Sequence, residues 1–189
     1  MRIHEDVQAV LNAAYQEAKR KNHEYLTPEH VLYSALFFDT PRYILEECGA
    51  DPDEVIQSIE DYLQTHIPVV EGGEPIQSVM FQETIERAVF HTQSSQKSEV
   101  DLGDLIVSIF QEDEAFGSYY LKKAGITKYK LLQAVSHTSA AEGDDPGDTP
   151  AGSGGEGDPH RRAAAPETEQ ETAGGGAKKK KRATALESF

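Results

Sequence analysis

Two histidines and two glutamates lie close together near the N-terminus, in the segment HEYLTPEH. His23, Glu24, Glu29 and His30 are residue types that bind zinc and related metal ions. The other histidines are dispersed along the chain. Histidines beside a helix start more often serve capping and surface roles, so we predict no metal site here. A surface metal site is the alternative interpretation.

No catalytic set accompanies these side chains. Ser94 and Ser95 fall in a polar stretch where the sequence places no base beside them. Cys48 is the only cysteine, which excludes an internal disulfide and favours a small buried apolar role. The glycine-rich run at residues 174–178 does not match the G-x-x-x-x-G-K-[ST] pattern of an ATP-binding loop. We therefore predict no catalytic residue, no ATPase activity and no cofactor for this chain.

The elements that must position the His–Glu segment are helices. Thr27 can cap a helix, Pro28 suits its first position, and Glu29 places a negative charge in its first turn. An apolar stripe at helical spacing follows, formed by Val31, Leu32, Ala35 and Leu36. We predict that this helix ends at residues 39–41, because the proline there bars its continuation.

Three further helices are predicted in the first 66 residues. The first covers residues 3–20, and the third covers 42–48 and stops at Gly49, a typical left-handed cap. The fourth begins after Asp51, with Pro52 in its first position. Residues 67–78 contain two glycines and two prolines and are predicted to be an extended linker.

The second half of the chain repeats this plan. At a constant offset, Leu26 and Thr27 align with Val100 and Asp101, and a small shift extends the alignment to Gly49. The aligned pairs include Val7/Phe81, Leu11/Ile85, Ala14/Ala88, Leu32/Ile106, Leu45/Leu121 and Gly49/Gly125. Such repetition means that each unit buries its apolar face against its twin. The predicted fold class is all-α, with two tandem four-helix repeats (about 1–66 and 79–138), pseudo-twofold symmetry and no sheet.

Composition divides the chain into a head, residues 1–138, and a tail, residues 139–189. The head carries 23 acidic and 11 basic side chains, so phosphate binding and a nucleic-acid partner are not expected. The tail holds nine glycines and four prolines, and residues 139–183 are predicted to be a disordered linker. Its basic run, residues 178–182, is interpreted as a solvated linker end rather than a nucleic-acid or membrane patch. No apolar run approaches the roughly 20 residues of a membrane helix.

The duplicated helical unit resembles the N-terminal domain of the Clp/Hsp100 unfoldases. The segments HEYLTPEHVLYSAL and FQETIERAVFHTQSSQKS, with VSH at residues 135–137, are most similar to the ClpA branch of that family. The likeness covers roughly residues 1–138. Residues 184–189, TALESF, weakly resemble the entry to the first AAA+ ATPase module. The chain is therefore expected to be a ClpA-type N-domain with its linker, truncated before that module.

This resemblance implies docking rather than catalysis. ClpA-type unfoldases are hexameric AAA+ rings that deliver proteins to the ClpP peptidase in the bacterial cytoplasm, with ATP and Mg²⁺ in modules missing here. Their N-domain binds protein substrates and the ClpS adaptor, which brings N-end rule substrates. The matching adaptor-binding positions are Glu24, Glu29, Ser78 and Glu83. Glu83 reverses the charge of a position that is basic in the ClpA pattern, which implies a changed contact or a matching change in the adaptor.

Two alternatives to this interpretation stay open. One is the N-domain of a sibling Clp/Hsp100 ATPase of the ClpC or ClpB type, which uses other adaptors. The other is a stand-alone helical metal-binding protein. Binding of ClpS would distinguish the ClpA-type domain from both.

Overall fold

The computed structural model describes residues 2–141, with side chains described for residues 2–138. The helices in this part are α1 Glu5–Arg20, α2 Pro28–Ala35, α3 Asp39–Glu47, α4 Pro52–His66, α5 Val79–Ser94, α6 Leu102–Phe110, α7 Phe116–Lys123 and α8 Lys128–Ala141. The strands are β1 Arg2–Ile3, β2 Tyr25–Leu26, β3 Ile76–Gln77 and β4 Glu99–Val100. The predicted AAA+ segment at 184–189 lies outside the described residues. Of the predicted linker, residues 139–183, only 139–141 are described. Those residues belong to α8, which continues past the predicted boundary at 138.

Local capping chemistry places the helix starts where the sequence predicts them. At the start of α4, the Asp51 carboxylate accepts a hydrogen bond from the Asp53 N–H at 2.9 Å. At the start of α6, the Asp101 carboxylate accepts one from the Asp104 N–H at 2.8 Å. Each bond satisfies one of the amides that a first helical turn leaves free.

Glycine and proline mark the helix ends with one difference from prediction. Gly49 and Gly125 follow α3 and α7 with φ of 81° and 85°, which confirms the left-handed caps. Pro41, however, does not terminate α2, which already ends at Ala35. It lies in the first turn of α3, which begins at Asp39 rather than at residue 42. A proline fits there because the first amides of a helix have no intrahelical acceptor.

The four strands form two parallel pairs, and each pair joins one repeat to the other. Arg2 of β1 pairs with Glu99 of β4, and Tyr25 of β2 pairs with Ile76 of β3. The pairing is reciprocal because β1 and β3 occupy equivalent places in the two repeats, as β2 and β4 do. The all-α class is confirmed, but the prediction of no sheet is wrong in this detail. The extended residues before the helices satisfy their backbone groups by pairing across the repeats.

The helices also pack reciprocally across the two repeats. Helix α3 packs on α8 as α4 packs on α7, and α3 contacts α6 as α7 contacts α2. The largest fully buried apolar side chains are Leu32, Leu36, Ile44, Leu45, Ile59, Leu63, Leu105, Ile106, Ile109, Leu121 and Leu131. They come from both repeats and belong to one cluster, so neither repeat buries its apolar face alone.

We expect the substitution Gly103→Val to lower the free energy of unfolding by about 2–3 kcal/mol, because it overpacks the contact between α6 and α8. A Cβ at Gly103 would lie 2.7 Å from Cγ1 of Val135, whose branched side chain has little freedom to move. Chemical denaturation monitored by circular dichroism measures the loss. Gly73→Val is the matched control, because a Cβ there meets no atom closer than 3.6 Å. Equal stability of both variants would contradict the prediction.

Candidate docking surface

The pairing of β2 with β3 creates an exposed apolar edge beside the start of α5. The Ile76 N–H donates to the Glu24 carbonyl at 2.9 Å, and the Ser78 N–H donates to the Leu26 carbonyl at 3.0 Å. On this surface Tyr25, Ile76 and Val79 expose 37%, 60% and 71% of their areas. We call these three residues the docking edge. Grouped exposed apolar side chains on a soluble domain commonly mark a site of protein contact.

Three of the four predicted adaptor-binding residues reach the surface at or near the docking edge. Glu24 is half-buried and directly precedes β2. Ser78 is half-buried and caps α5, its hydroxyl accepting a hydrogen bond from the Phe81 N–H at 3.1 Å. Glu83 is exposed on the same helix. Strand pairing therefore places Glu24 and Ser78 at the two ends of the β2–β3 pair, and Glu83 lies further along the helix that Ser78 caps.

Glu29, the fourth, lies inside the fold, and its predicted surface position is wrong. Its side chain is 3% exposed, and Oε1 accepts a hydrogen bond from the Gly117 N–H at 3.1 Å. Gly117 lies in the first turn of α7 in the other repeat, where the helix dipole favours a carboxylate. Glu29 therefore links the two repeats, and a partner would have to displace this bond to reach it.

An open groove lies beside the same strand pair, on the side of Leu26 and Gln77, whereas their strand neighbours Tyr25 and Ile76 point to the other face. It has a volume of about 510 Å³, and its apolar lining comes from Leu11 of α1, Leu26 of β2, and Phe81 and Ile85 of α5. Gln77 of β3 also lines it, so the groove is continuous with the strand pair. Leu11 and Ile85 are equivalent positions of the two repeats, so the groove lies where their first helices face each other. From the sequence, these residues were predicted only to belong to apolar helical stripes. The pattern did not show that another element leaves part of each stripe uncovered.

A polar clasp holds one wall of the groove. Tyr15, which lines the groove, donates a hydrogen bond to Glu74, and the Lys19 ammonium donates to the same carboxylate at 2.6 Å. The bond from Lys19 is the main reason, and the bond from Tyr15 the second, why the pKa of Glu74 lies below its ordinary value. The same bond to Glu74 raises the pKa of Tyr15. Glu74 belongs to the segment before β3, so the clasp ties that segment to α1. No local sequence pattern indicates this clasp, because Glu74 is 59 residues from Tyr15 and 55 residues from Lys19 in the chain.

A buried histidine pair lies near β2, with His23 before that strand and His30 in the first turn of α2. His30 is fully buried and His23 is 4% exposed, and their ring nitrogens, His23 Nδ1 and His30 Nε2, lie 2.8 Å apart. The Thr27 N–H donates to His30 Nδ1 at 3.2 Å, so the proton of neutral His30 resides on Nε2 and is donated to His23. Desolvation lowers the pKa of both rings, that of His30 to about 3. The predicted capping role of His30 is correct, but both rings are buried rather than on the surface.

In the histidine pair, His23 Nδ1 is engaged with His30, and His30 Nδ1 accepts the bond from Thr27. Among the residues whose side chains are described, no group of three or more histidine, cysteine, aspartate or glutamate side chains is placed to hold a metal ion. In the same part of the chain, no helix combines the length and the apolar character needed to cross a membrane.

Comparison with known proteins shows which family this chain belongs to and which proteins it resembles. The family model described as Clp repeat (R) N-terminal domain matches residues 2–124. A ClpA homolog protein of Fuscovulum blasticum is 28% identical over 165 residues, which cover 79% of this chain and 21% of that protein. The chain thus spans about a fifth of the length of this relative.

Solved structures of Clp/Hsp100 N-domains share the fold. The Hsp104 N-terminal domain from Candida albicans superposes with a TM-score of 0.66 at 14% identity, over 75% of this chain and 93% of that one. A ClpV N-domain in complex with a VipB peptide superposes with a TM-score of 0.60 at 19% identity, over 71% of this chain and 88% of that one. The sequence contains no match to the G-x-x-x-x-G-K-[ST] pattern of an ATP-binding loop. The eight helices of the described part form two reciprocal repeats, and the family model matches most of the head, so the chain belongs to the Clp repeat N-terminal domain family.

Proposed function

We propose that this domain is the adaptor- and substrate-docking part of a ClpA-type AAA+ unfoldase, and that it binds the ClpS adaptor at the docking edge. The observation that carries this proposal is the exposed apolar trio, in which Tyr25 and Ile76 pair across β2 and β3 and Val79 begins α5. Glu24 and Ser78 flank the strand pair. Similarity to the ClpA homolog supports the choice of branch. The whole protein's hexameric ring, its ATP and Mg²⁺, its delivery of substrates to ClpP and its bacterial cytoplasmic location belong to the same proposal.

The chemistry of the docking edge suits such a partner. The apolar trio supplies area that a partner can desolvate, and such contacts at the centre of an interface provide most of its affinity. Glu24 and Glu83 add carboxylates that can accept hydrogen bonds and select a complementary, basic partner surface. Since Glu83 reverses the charge of the ClpA pattern, we expect the matching adaptor to carry a basic or neutral group there. Ser78 can offer its hydroxyl only while it also caps α5.

The groove beside the strand pair gives this domain a second contact, made directly with protein substrates. Its volume and apolar lining are those of a site for a peptide side chain and the backbone next to it. The ClpV N-domain of related fold was solved with a VipB peptide, which supports peptide binding as a use of this fold. In our proposal the adaptor occupies the docking edge, and unfolded segments occupy the groove.

We expect Ile76→Asp to weaken ClpS binding by a factor of ten or more, because it places a charge at the centre of the apolar edge. The measurement is isothermal titration of the chain with ClpS. Tyr129→Asp is the matched control, since Tyr129 is 76% exposed but lies on α8. Circular dichroism of both variants shows whether the fold is retained.

Three outcomes of this titration decide the proposal. Binding by the native chain and the Tyr129 variant, with loss in the Ile76 variant, supports it. Equal binding by all three chains would move the adaptor site away from the docking edge. No ClpS binding by the native chain would favour a sibling Clp/Hsp100 domain of the ClpC or ClpB type, which the shared fold also suits.

A further inference from the structure

The two walls of the groove differ in charge, and this difference indicates which peptides it selects. Glu86 lines the groove on α5, and Glu83 precedes it by one turn on the same helix. Neither carboxylate has an ion-pair partner among the residues whose side chains are described. The equivalent of Glu86 in the first repeat is Asn12, which is neutral and also lines the groove. The negative charge therefore lies on one wall only.

Nearby cations do not neutralise this wall. Arg87 follows Glu86 directly, but its guanidinium donates to Glu112 at 2.8 Å and to the Ser108 carbonyl at 3.3 Å. Lys19 is engaged with Glu74 in the clasp on the other wall. An incoming ligand thus meets uncompensated carboxylates on α5.

The remaining polar lining suits a peptide backbone. Asn12, Gln77 and Gln82 present amide groups that can both donate and accept hydrogen bonds, as the N–H and C=O groups of an extended peptide require. The apolar part, Leu11, Leu26, Phe81 and Ile85, can take one aromatic or branched aliphatic side chain. The groove therefore combines an apolar anchor site, amide groups and an anionic rim.

We propose that this groove binds unfolded protein segments in which a large apolar residue is adjacent to lysine or arginine, with the cationic side chain placed against Glu86 and Glu83. This inference rests on the proposed use of the groove for substrates, and it adds the class of sequence that the groove selects. A cation beside the anchor gains attraction from the rim, whereas an aspartate, a glutamate or a phosphorylated residue meets repulsion. An acidic peptide is consequently the poorest ligand.

The test uses three fluorescein-labelled peptides of equal length that differ at one position. Each has a single phenylalanine in a Gly/Ser background, followed by lysine, glutamine or glutamate. Fluorescence anisotropy with the full chain at low salt is expected to give the tightest binding for the lysine peptide. The expected advantage over the glutamine peptide is about fivefold, and it should shrink at high salt because the rim is exposed to solvent.

Three variants of the chain connect the preference to the proposed residues. Glu86→Gln should reduce the lysine advantage, and Glu86→Lys should reverse the order so that the glutamate peptide binds best. Glu114→Gln is the control, because Glu114 is also exposed but lies between α6 and α7. It should leave the order of the three peptides unchanged.

Each result separates this inference from the broader proposal. Equal binding of the three peptides, lost in an Ile85→Asp variant, would overturn the charge preference and keep the groove as a peptide site. Binding that Ile85→Asp does not affect would overturn both the preference and the groove. Failure of all three peptides to bind would also overturn both the charge preference and the groove as a peptide site. The ClpS titration would still decide the function of the docking edge. A lysine preference that disappears in Glu86→Gln establishes the inference.

Discussion

Replacing Asp104 with alanine is expected to lower the free energy of unfolding by about 3–5 kcal/mol, because it breaks a buried charge network. Asp104 is fully buried, and its Oδ1 accepts from His91 at 2.8 Å and from the Lys97 ammonium at 3.1 Å. Its Oδ2 accepts from the Thr92 hydroxyl at 2.8 Å and from the Asp101 N–H at 3.3 Å. Alanine would leave these donors without their acceptor beneath the start of α6.

Urea denaturation at neutral pH measures this loss, and a second aspartate provides the control. Asp113 accepts a shorter bond, 2.6 Å, from Lys122, but its side chain is 86% exposed. Asp113→Ala should therefore cost far less stability than Asp104→Ala, because solvent screens an exposed ion pair. If the two substitutions cost the same, burial would not be the reason for the importance of Asp104.

Asp104→Asn refines the same prediction. Burial raises the pKa of Asp104, but the hydrogen bonds from His91 and Thr92 and the charge of Lys97 outweigh it and hold the pKa below its ordinary value. The folded state therefore favours the carboxylate, and this contribution is present above the unfolded pKa and disappears as pH falls through the folded one. Asparagine keeps one acceptor but not the charge, so we expect an intermediate loss at neutral pH and little difference from the native chain in strong acid.

Acidification from pH 6.5 to 4.5 is expected to destabilise the domain by up to about 1.4 kcal/mol per pH unit through His30 alone. Burial, then the proximity of His23 and Lys21, lowers the pKa of His30 to about 3. Over this range the unfolded state takes up a proton on the ring and the folded state does not. The stability contribution is therefore fully present above about pH 6.5 and is lost progressively as the pH falls. His23, whose pKa is lowered mainly by burial, adds to the slope.

Urea denaturation at several pH values across this range tests the prediction with His30→Gln. We expect this variant to be less stable at pH 7.5 by about 1–3 kcal/mol, because it disturbs a buried hydrogen-bond network. Its stability should, however, fall less steeply with acid than that of the native chain. His66→Gln changes an exposed histidine and should keep the native slope. Parallel profiles for all three chains would exclude the buried pair as the origin of the acid sensitivity.

The histidine pair also predicts where acid first loosens the structure. His23 lies in the segment that pairs with residues 68–70, since the Glu24 N–H donates to the Pro68 carbonyl at 2.7 Å and the Val70 N–H donates to the Asn22 carbonyl at 2.8 Å. In the second repeat, Lys97 and Asp104 occupy the positions equivalent to His23 and His30. They form an ion pair whose pKa values are raised and lowered respectively, so it stays charged through this range. The docking edge should consequently respond to acid before the equivalent place in the second repeat.

Much of the helical architecture could be predicted from the sequence because its causes are local. Thr27 and Pro28, Asp51 and Pro52, and Asp101 occupy the helix starts that their capping chemistry predicts. The repeat was visible because the same stripes and caps recur in the same order. These signals depend on residues three or four positions apart, and a single sequence contains them in full.

The sequence alone thus determined an all-α, duplicated, acidic domain without catalytic motifs. Its resemblance to the Clp/Hsp100 N-domains predicted Glu24, Glu29, Ser78 and Glu83 as adaptor-binding residues. Only the tertiary structure decided that β2 pairs with β3, that Glu29 is buried against Gly117, and that part of the α1 and α5 stripes stays open as a groove. The reason is that an apolar stripe or a first-turn carboxylate has the same local pattern whether another element covers it or solvent does. What covers it is decided by packing between residues that are far apart in the chain.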